Sequence, residues 1–448
     1  MKVTIEKSNI RGKVTVPSSK SMTLRALMCA ALSMGKSEIL HPLVSEDTNA
    51  AADVLGKIGV GIQKEADLWR VTGGAFRAYA GDLHCGESAT TLRFMTALCS
   101  LIPGKHRLVG GPSLSKRPIR SLVESLRKLG IDASTEGKTT PPVTVQGGTF
   151  KGGLTEIPGN ISSQFISALL LIAPFAPREA SIKLTTALAS KSYILMTLWC
   201  LKKFGINVQT EWDRFIVKRQ KYQPAKLTVE GDWSSASYFL ALGAISQEGV
   251  QVDNISTASL QGDRVILDLL RSMGAAVRVA GNSVTVSQGN LKAIRANLSD
   301  CVDLLPTVSV LAALAEGVSV FTGIERARIK ESNRVSAVKE GLQKVGVSVT
   351  EERDRLTITG LKTPKKVRDE DEEKEKDEGE SKKELKDETA KSPVVIYSFG
   401  DHRIAMAGSI MGAARGAVTI EGAECVAKTF PSFWEDFKKV GGELKTNA

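Results

Sequence analysis

Two acids set the chemistry open to this sequence. Asp303, in SDCVDLLPT, stands at the mouth of an apolar helical run, and Glu331, in IKESNR, lies between Lys330 and Arg334. A carboxylate among cations stays ionised, and it either moves a proton or balances charge. Both readings stand at this point. Polar groups recur at the start of other apolar runs, in PSSKSMTLR, CGESATTLR, LSKRPIR, GNISSQF, ASKSY, GDHRIA and AKTFPSF. In the first of these, Ser18 or Ser19 is a natural N-cap, yet Lys20 and Arg25 crowd turns where the macrodipole is positive and acids are expected. Helix N-termini converging on one cleft favour anions by ~0.3–1 kcal/mol each, and charge-assisted hydrogen bonds from Arg or Lys add ~1.5–3 kcal/mol. For a single arginine such as Arg93 or Arg117, a salt bridge or a solvated face is sufficient explanation. A whole set at equivalent points of a repeat is not explained that way, because local rules broken together mark functional sites.

The elements that must position these residues do form a repeat. An amphipathic helix ending in glycine and followed by a strand occurs as ADVLGKIGVGI, SLVESLRKLGIDA, TLWCLKKFGINV, LDLLRSMGAAV, KEGLQKVGVSV and DFKKVGGEL. The glycines are Gly59, Gly130, Gly205, Gly274, Gly346 and Gly441, at intervals of 71, 75, 69, 72 and 95 residues. Each suits a left-handed helix C′ position. The last interval is longer by about the length of a charged segment, Pro364 to Pro393, which holds nine Lys/Arg and twelve Asp/Glu and reads as a solvated insertion into the sixth unit. Every unit also carries an earlier helix that is apolar nearly all round, such as TTLRFMTALC or SQFISALLLIA, and must be buried. Short alternating strands such as SVTVS face water on one side. The expected class is α/β: two domains of three units each, helices inside and sheets outside.

Composition narrows the partners. The 448 residues carry a net charge of +11, but the cations are dispersed and aromatics are only 5%, which favours small anions over nucleic acid. No apolar run reaches the ~18 residues of a membrane span, and MKVTIEKSNI reads as a strand with no signal segment, so a cytoplasmic protein is expected. Six scattered cysteines without a CxxC pair read as reduced, packed thiols, and four widely spaced histidines give no metal pattern, so neither metal nor cofactor is expected. No GxxxxGK[ST] loop occurs, which disfavours nucleotide hydrolysis.

Taken with these segments, the chain resembles the EPSP synthases, the 3-phosphoshikimate 1-carboxyvinyltransferases of aromatic amino-acid synthesis. The resemblance spans everything but the charged insertion; its most specific parts are PSSKSMTLR, RPI at Arg117 to Ile119, GNISSQF, EGDWSSASYF, RIKESNR, GDHRIAMA and AKTFP. It implies an inside-out α/β barrel in each domain, built of three βαβαββ units. Crossings near residues 16 and 229 then give an N-terminal domain of 16–229 and a C-terminal domain of 1–15 and 230–448. The implied reaction joins phosphoenolpyruvate to the 5-hydroxyl of shikimate 3-phosphate and releases phosphate. By motif, the shikimate 3-phosphate shell is Lys20, Ser21, Arg25, Ser162, Ser163, Gln164, Ser190, Tyr193, Asp303 and Lys330. Phosphoenolpyruvate falls to Lys20, Ala89, Thr90, Arg117, Gln164, Arg334, Arg403 and Lys428. Asp303 resembles the base for the 5-hydroxyl, and Glu331, with Lys20 nearby, the acid that protonates the methylene. His402 is expected to support Arg403, and the enzyme to act as a monomer. Three positions depart from the commonest pattern: Glu87 and Ala89, where many members have Asn and Gly, and Arg326, where some have an Asn that contacts shikimate 3-phosphate. Arg326 is therefore left outside the expected site. The methyl of Ala89 is expected to crowd the longer inhibitor glyphosate. The sister UDP-N-acetylglucosamine enolpyruvyl transferases carry a Lys-Asn pair and a loop cysteine; here Ser21 follows Lys20, and GGPSLSKRPI has no Cys. A protein that binds nucleic acid or acts on RNA ends is the remaining alternative.

Overall fold

All six repeat glycines adopt the left-handed backbone, with φ from +81° at Gly205 to +103° at Gly59. In the computed structural model, which describes residues 1–361 and 393–447, each follows an outer helix: Glu46–Lys57, Arg120–Lys128, Lys191–Lys203, Ile266–Ser272, Arg334–Lys344 and Phe433–Lys439. At Gly59 a Cβ would also come within 2.7 Å of the Ala75 carbonyl oxygen, so the position excludes a side chain twice over.

One unit illustrates the rest. Strand Asp82–His84 leads through the inner helix Ala89–Leu98 into Gly104–Val109, parallel to it. The outer helix Arg120–Lys128 follows, then strands Asp132–Thr135 and Val143–Gly147, which add on antiparallel. The described residues form six such four-stranded sheets. Three of them take a strand from far along the chain. Lys226–Thr228 pairs in parallel with Gly35–Leu40, and Gly12–Thr15 with Val250–Asp253. Lys2–Ile5 lies between Val418–Glu421 and Leu444–Asn447, so the chain start belongs to sheets of the C-terminal half.

Helices occupy the interior. Every residue of Ala89–Leu98 and of Trp233–Ala244 is buried, as their all-round apolar sequences require. The strand Ser283–Ser287 alternates half-buried with buried, the signature of a sheet wet on one face. The apolar side chains fall into two separate cores. One runs from Met22 to Val229; the other joins Val3–Val16 to Trp233–Val440. Among the described residues no buried apolar cluster crosses between them, and polar contacts do. The chain crosses between the halves at two adjacent points, where Ser19 N–H donates to the Glu230 carbonyl at 2.8 Å and Asp232 N–H to that of Pro17 at 2.9 Å. The charged segment expected at 364–393 lies, Pro393 aside, outside the described residues.

Candidate active site between the halves

Inner-helix starts from both halves line one cleft of about 830 Å³. Lys20, Ala89 and Ser163 are the first residues of the helices Lys20–Leu32, Ala89–Leu98 and Ser163–Ile172. Opposite them stand Asp303, one turn before the helix Leu305–Leu314, and His402 and Arg403, which begin His402–Arg415. Polar side chains cap these helices where they open on the cleft. Ser88 accepts from Thr91 N–H, Ser162 from Gln164 N–H and Asp401 from Arg403 N–H. By contrast, the helix Leu305–Leu314, which follows Leu304, has no side-chain cap, and neither has the helix from Lys20. Ser19 occupies its N-cap position, but the Ser19 hydroxyl is buried and meets no partner among the described residues.

The cations at the wrong end of that helix have different fates. Lys20 is neutralised by Asp47, from the first turn of Glu46–Lys57, at 2.8 Å. Arg25 turns away from the cleft. Its Nε donates to Thr197 Oγ1 at 2.8 Å, Nη1 to the Ser21 carbonyl at 2.9 Å and Nη2 to the Tyr193 carbonyl at 3.2 Å, between the rings of Phe94 and Tyr193. It therefore steadies two cleft residues from beneath rather than lining the cleft.

The C-terminal half carries the charge network. Arg334, 1% exposed, donates to Asp401 at 2.7 Å, Asp303 at 2.5 Å and Glu331 at 2.6 Å. Asp303 also meets Lys330 at 3.3 Å and Arg403 at 3.3 Å, and accepts from the Tyr193 hydroxyl at 3.0 Å. Burial alone would raise the Asp303 carboxyl. Arg403, Lys330 and Arg334 overcome that and hold it well below the usual carboxylate range. Glu331 is held low in the same way: burial pushes it up, and the cations Arg334, Arg117 and Lys20 bring it down. Burial lowers Lys330 to about 8 despite the opposing pull of Asp303. His402 is pushed well below its ordinary value, first by burial and then by Lys20, so its ring is neutral at neutral pH. No hydrogen bond joins it to Arg403, the residue beside it at the start of the same helix. Both ring nitrogens are without partners among the described residues.

Polar contacts also cross between the halves. Arg117 Nη1 lies 3.6 Å from Glu331 Oε1, and Ser113 Oγ donates to the Glu331 carbonyl at 3.0 Å. The loop bearing both is pinned by Glu87, whose carboxylate accepts from the N–H of Ser113 at 3.2 Å and of Leu114 at 2.8 Å. Glu87 is thus a loop cap that leaves Arg117 facing the cleft.

Of the residues expected from sequence, Lys20, Ser21, Ala89, Thr90, Arg117, Ser162, Ser163, Gln164, Ser190, Tyr193, Asp303, Lys330, Glu331, Arg334 and Arg403 line the cleft together. Arg25 and Lys428 do not; Lys428 is half-buried, its Nζ donating to the Gly400 carbonyl at 2.8 Å. Three charged lining residues were absent from the expected set: Asp47, Arg93 and Arg326. Arg93 donates to Gln164 Oε1 at 2.6 Å, Ser162 Oγ at 3.2 Å and the Pro118 carbonyl at 3.0 Å, with its guanidinium over the Phe165 ring. It is neither salt-bridged nor solvated. Its position four residues after Ala89, on the same helix face, was the signal available. Arg326 reaches the cleft only through the fold. Among the described residues, no group of three or more His, Cys, Asp or Glu side chains is placed to hold a metal ion.

A cleft with cations and amides on both walls and two ionised acids between them suits a pair of small polyanions. The family model of EPSP synthase (3-phosphoshikimate 1-carboxyvinyltransferase) matches residues 5–437. A 3-phosphoshikimate 1-carboxyvinyltransferase of Dehalococcoides mccartyi is 43% identical over 99% of each chain. Its namesake in Methanothermobacter thermautotrophicus is 37% identical over 98% of this chain and 99% of its own. Among solved structures, EPSP synthase from Acinetobacter baumannii superposes with a TM-score of 0.76 at 28% identity, covering 99% of this chain and 100% of that one. Sequence motif, fold and cleft agree, and the chain belongs to the EPSP synthase family.

Proposed function

We propose that this cleft transfers the enolpyruvyl group of phosphoenolpyruvate to the 5-hydroxyl of shikimate 3-phosphate, releasing phosphate. One observation carries the reading: Lys20 and Arg117 from one half and Arg334 and Arg403 from the other meet around Asp303 and Glu331. Both substrates bear a phosphate and a carboxylate, which is the charge such a clamp requires.

In the addition step Asp303, ionised in the free enzyme, takes the 5-hydroxyl proton as the oxygen attacks C2 of phosphoenolpyruvate. Glu331, with Lys20 beside the same centre, supplies the proton that makes C3 a methyl group. Glu331 is ionised in the empty cleft because Arg334 and Arg117 hold it so. Phosphoenolpyruvate neutralises those cations on arrival, which raises the Glu331 pKa as the site fills. Elimination returns a methyl proton to Glu331 and restores the double bond as phosphate leaves, the proton taken by Asp303 departing with it as hydrogen phosphate. Ser21, Ser162, Ser163, Gln164, Ser190, Tyr193 and Lys330 hold shikimate 3-phosphate; Ala89, Thr90 and Gln164 close the phosphoenolpyruvate side. Lys428 joins the clamp on closure of the halves, and Arg25 acts from beneath through Ser21 and Tyr193.

The polar seam and the two separate cores support a domain of 16–229 against one of 1–15 and 230–448, hinged at the paired crossings. Among the described residues no helix is long and apolar enough to cross a membrane. All six cysteines are free and buried, which supports a reducing, cytoplasmic setting. Mass spectrometry of a reaction supplied with both compounds tests the chemistry. The expected product is the enol ether of shikimate 3-phosphate; an unmodified acceptor would overturn the reading.

A further inference from the structure

Behind the cleft lies a second chamber of about 420 Å³. Lys20, Ser21, Tyr193 and Arg403 line both cavities and form the wall between them. Asp303 lines the cleft and not the chamber; Asp263 lines the chamber and not the cleft. The chamber sits at the paired crossings, with Ser19 and Asp232 among its lining residues. The buried hydroxyls of Ser19 and Thr429 also line it, and neither meets a partner among the described residues. A polar space of this size holds water, so a carboxyl there can ionise.

Asp263 is 3% exposed and accepts from the Ser234 hydroxyl. Both cations of the wall are committed elsewhere, Lys20 to Asp47 at 2.8 Å and Arg403 to Asp303 at 3.3 Å. The other ionisable groups facing Asp263 are Asp232, Tyr238 and Tyr193 in the chamber, with Cys301 and Asp303 outside its lining. Its neighbour Arg264 is exposed and donates to the Thr257 carbonyl at 2.8 Å. Glu230 does not line the chamber and accepts from Ser259 and Gln261. Burial and the Asp303 charge push the Asp263 carboxyl up to about 6, while Arg403 and Ser234 pull the other way. Asp303 is the reverse case, held low by three cations. Two buried acids whose surroundings drive their proton affinities apart divide the proton handling of a site between them.

We infer that Asp263 is a positioning residue for the base: from behind the wall of Tyr193 and Arg403, its carboxylate favours proton uptake by Asp303. The inference rests on the proposed reaction. Cations keep Asp303 ionised, and the same cations make it a weak base. Taking the 5-hydroxyl proton cancels the negative charge of Asp303. A second negative charge behind the wall favours that cancellation, because like charges repel strongly where water is scarce. Tyr193 and Arg403, which hold Asp303 at 3.0 and 3.3 Å, both feel the Asp263 charge. With Asp263 ionised, Arg403 divides its attraction between two carboxylates and grips Asp303 less. With Asp263 protonated, that attraction falls on Asp303 alone. The base therefore strengthens as Asp263 loses its proton.

The test compares kcat/KM for shikimate 3-phosphate in the wild type and Asp263→Asn over about pH 5–9. Asn keeps the size of the side chain and still accepts from Ser234. The ratio of wild type to variant cancels the ionisation of the substrates' own phosphates. That ratio is expected to rise from about 1 at the acid end to about 3–10 above about pH 7, with its midpoint near pH 6. Ser234→Ala removes a hydrogen bond that favours ionised Asp263, so it should move the acid limb of the profile upward in pH, and it carries the test if the Asn variant does not fold. Thermal melts read the same ionisation without substrate. Unfolded aspartate titrates near ~3.9, so ionising a folded carboxyl of higher value costs stability; the cost is absent at low pH and complete above about pH 6. The melting temperature of Asp263→Asn minus that of the wild type should therefore grow between about pH 4 and pH 7. A kinetic ratio or a melting difference flat across pH would reduce Asp263 to a structural brace, and overturns the inference while the reaction stands. A wild type that forms no enol ether from the two compounds overturns the reaction reading itself, and the inference with it.

Discussion

The two halves of this molecule are built from the same unit and present opposite chemistry to the cleft between them. The N-terminal half offers mostly neutral donors: the hydroxyls of Ser21, Thr90, Ser162, Ser163 and Ser190 and the amide of Gln164, with its one lining acid, Asp47, spent on Lys20. The C-terminal half supplies the two acids proposed to move protons, and it packs Asp303, Glu331 and Asp401 around the buried Arg334. Neutral hydroxyls are desolvated at small cost and hold an acceptor in place. Buried carboxylates are costly unless paired, so each is locked by cations until substrate rearranges the charges. One repeat thus yields a binding wall and a reacting wall, depending on which residues occupy the helix starts.

The largest expected effect tests the reacting wall. Asp303→Asn keeps the shape of the side chain and removes the base, so kcat should fall by about 10²–10⁴-fold in a steady-state assay while the melt stays cooperative. A loss of under about tenfold would move the base elsewhere. Next comes stability, measured by denaturant melts of one substitution in each wall. Arg334→Gln leaves three buried carboxylates short of a partner and should cost ~3–5 kcal/mol. Arg93→Gln strands only neutral acceptors and should cost ~1–3 kcal/mol. Equal costs would erase the distinction between the walls.

Much of this was legible beforehand, for reasons that differ residue by residue. Gly59 and its five counterparts mark helix ends by local backbone geometry, which a sequence displays directly. The buried helices announced themselves by being apolar all round. Lys20 and Ser163 could be placed because a helix start fixes where its first residues point. Arg326 could not, since nothing within RARIKES states that the chain will fold it against Ser190, a contact spanning 136 residues. Arg25 and Lys428 show the converse. Their motifs implied the cleft, but tertiary contacts to Thr197 and to Gly400 hold them elsewhere. Glu87 looked like an added charge among cations, and only the loop at Ser113 and Leu114 reveals it as a cap.

Smaller effects sharpen the same comparison. Lys330 carries charge below about pH 8 and loses it above, because burial lowers it more than Asp303 raises it. The value of kcat/KM for shikimate 3-phosphate should therefore decline above about pH 8, and Lys330→Arg should shift that limb beyond pH 10. A profile identical in both enzymes would assign the limb to another group. The smallest change is a methyl on the binding wall. Ala89→Gly should lower the half-inhibiting concentration of glyphosate by about tenfold or more, since overpacking by one methyl costs ~1–3 kcal/mol, with little change in the KM for phosphoenolpyruvate. A wild type already inhibited at sub-micromolar glyphosate and unaltered by the substitution would contradict the crowding.

The most direct trial of two walls acting on one pair of anions is phosphate release by the purified full chain, with shikimate 3-phosphate and phosphoenolpyruvate supplied together and each withheld in turn. Release is expected only when both are present. Release from phosphoenolpyruvate alone, or none from the pair, would contradict the account.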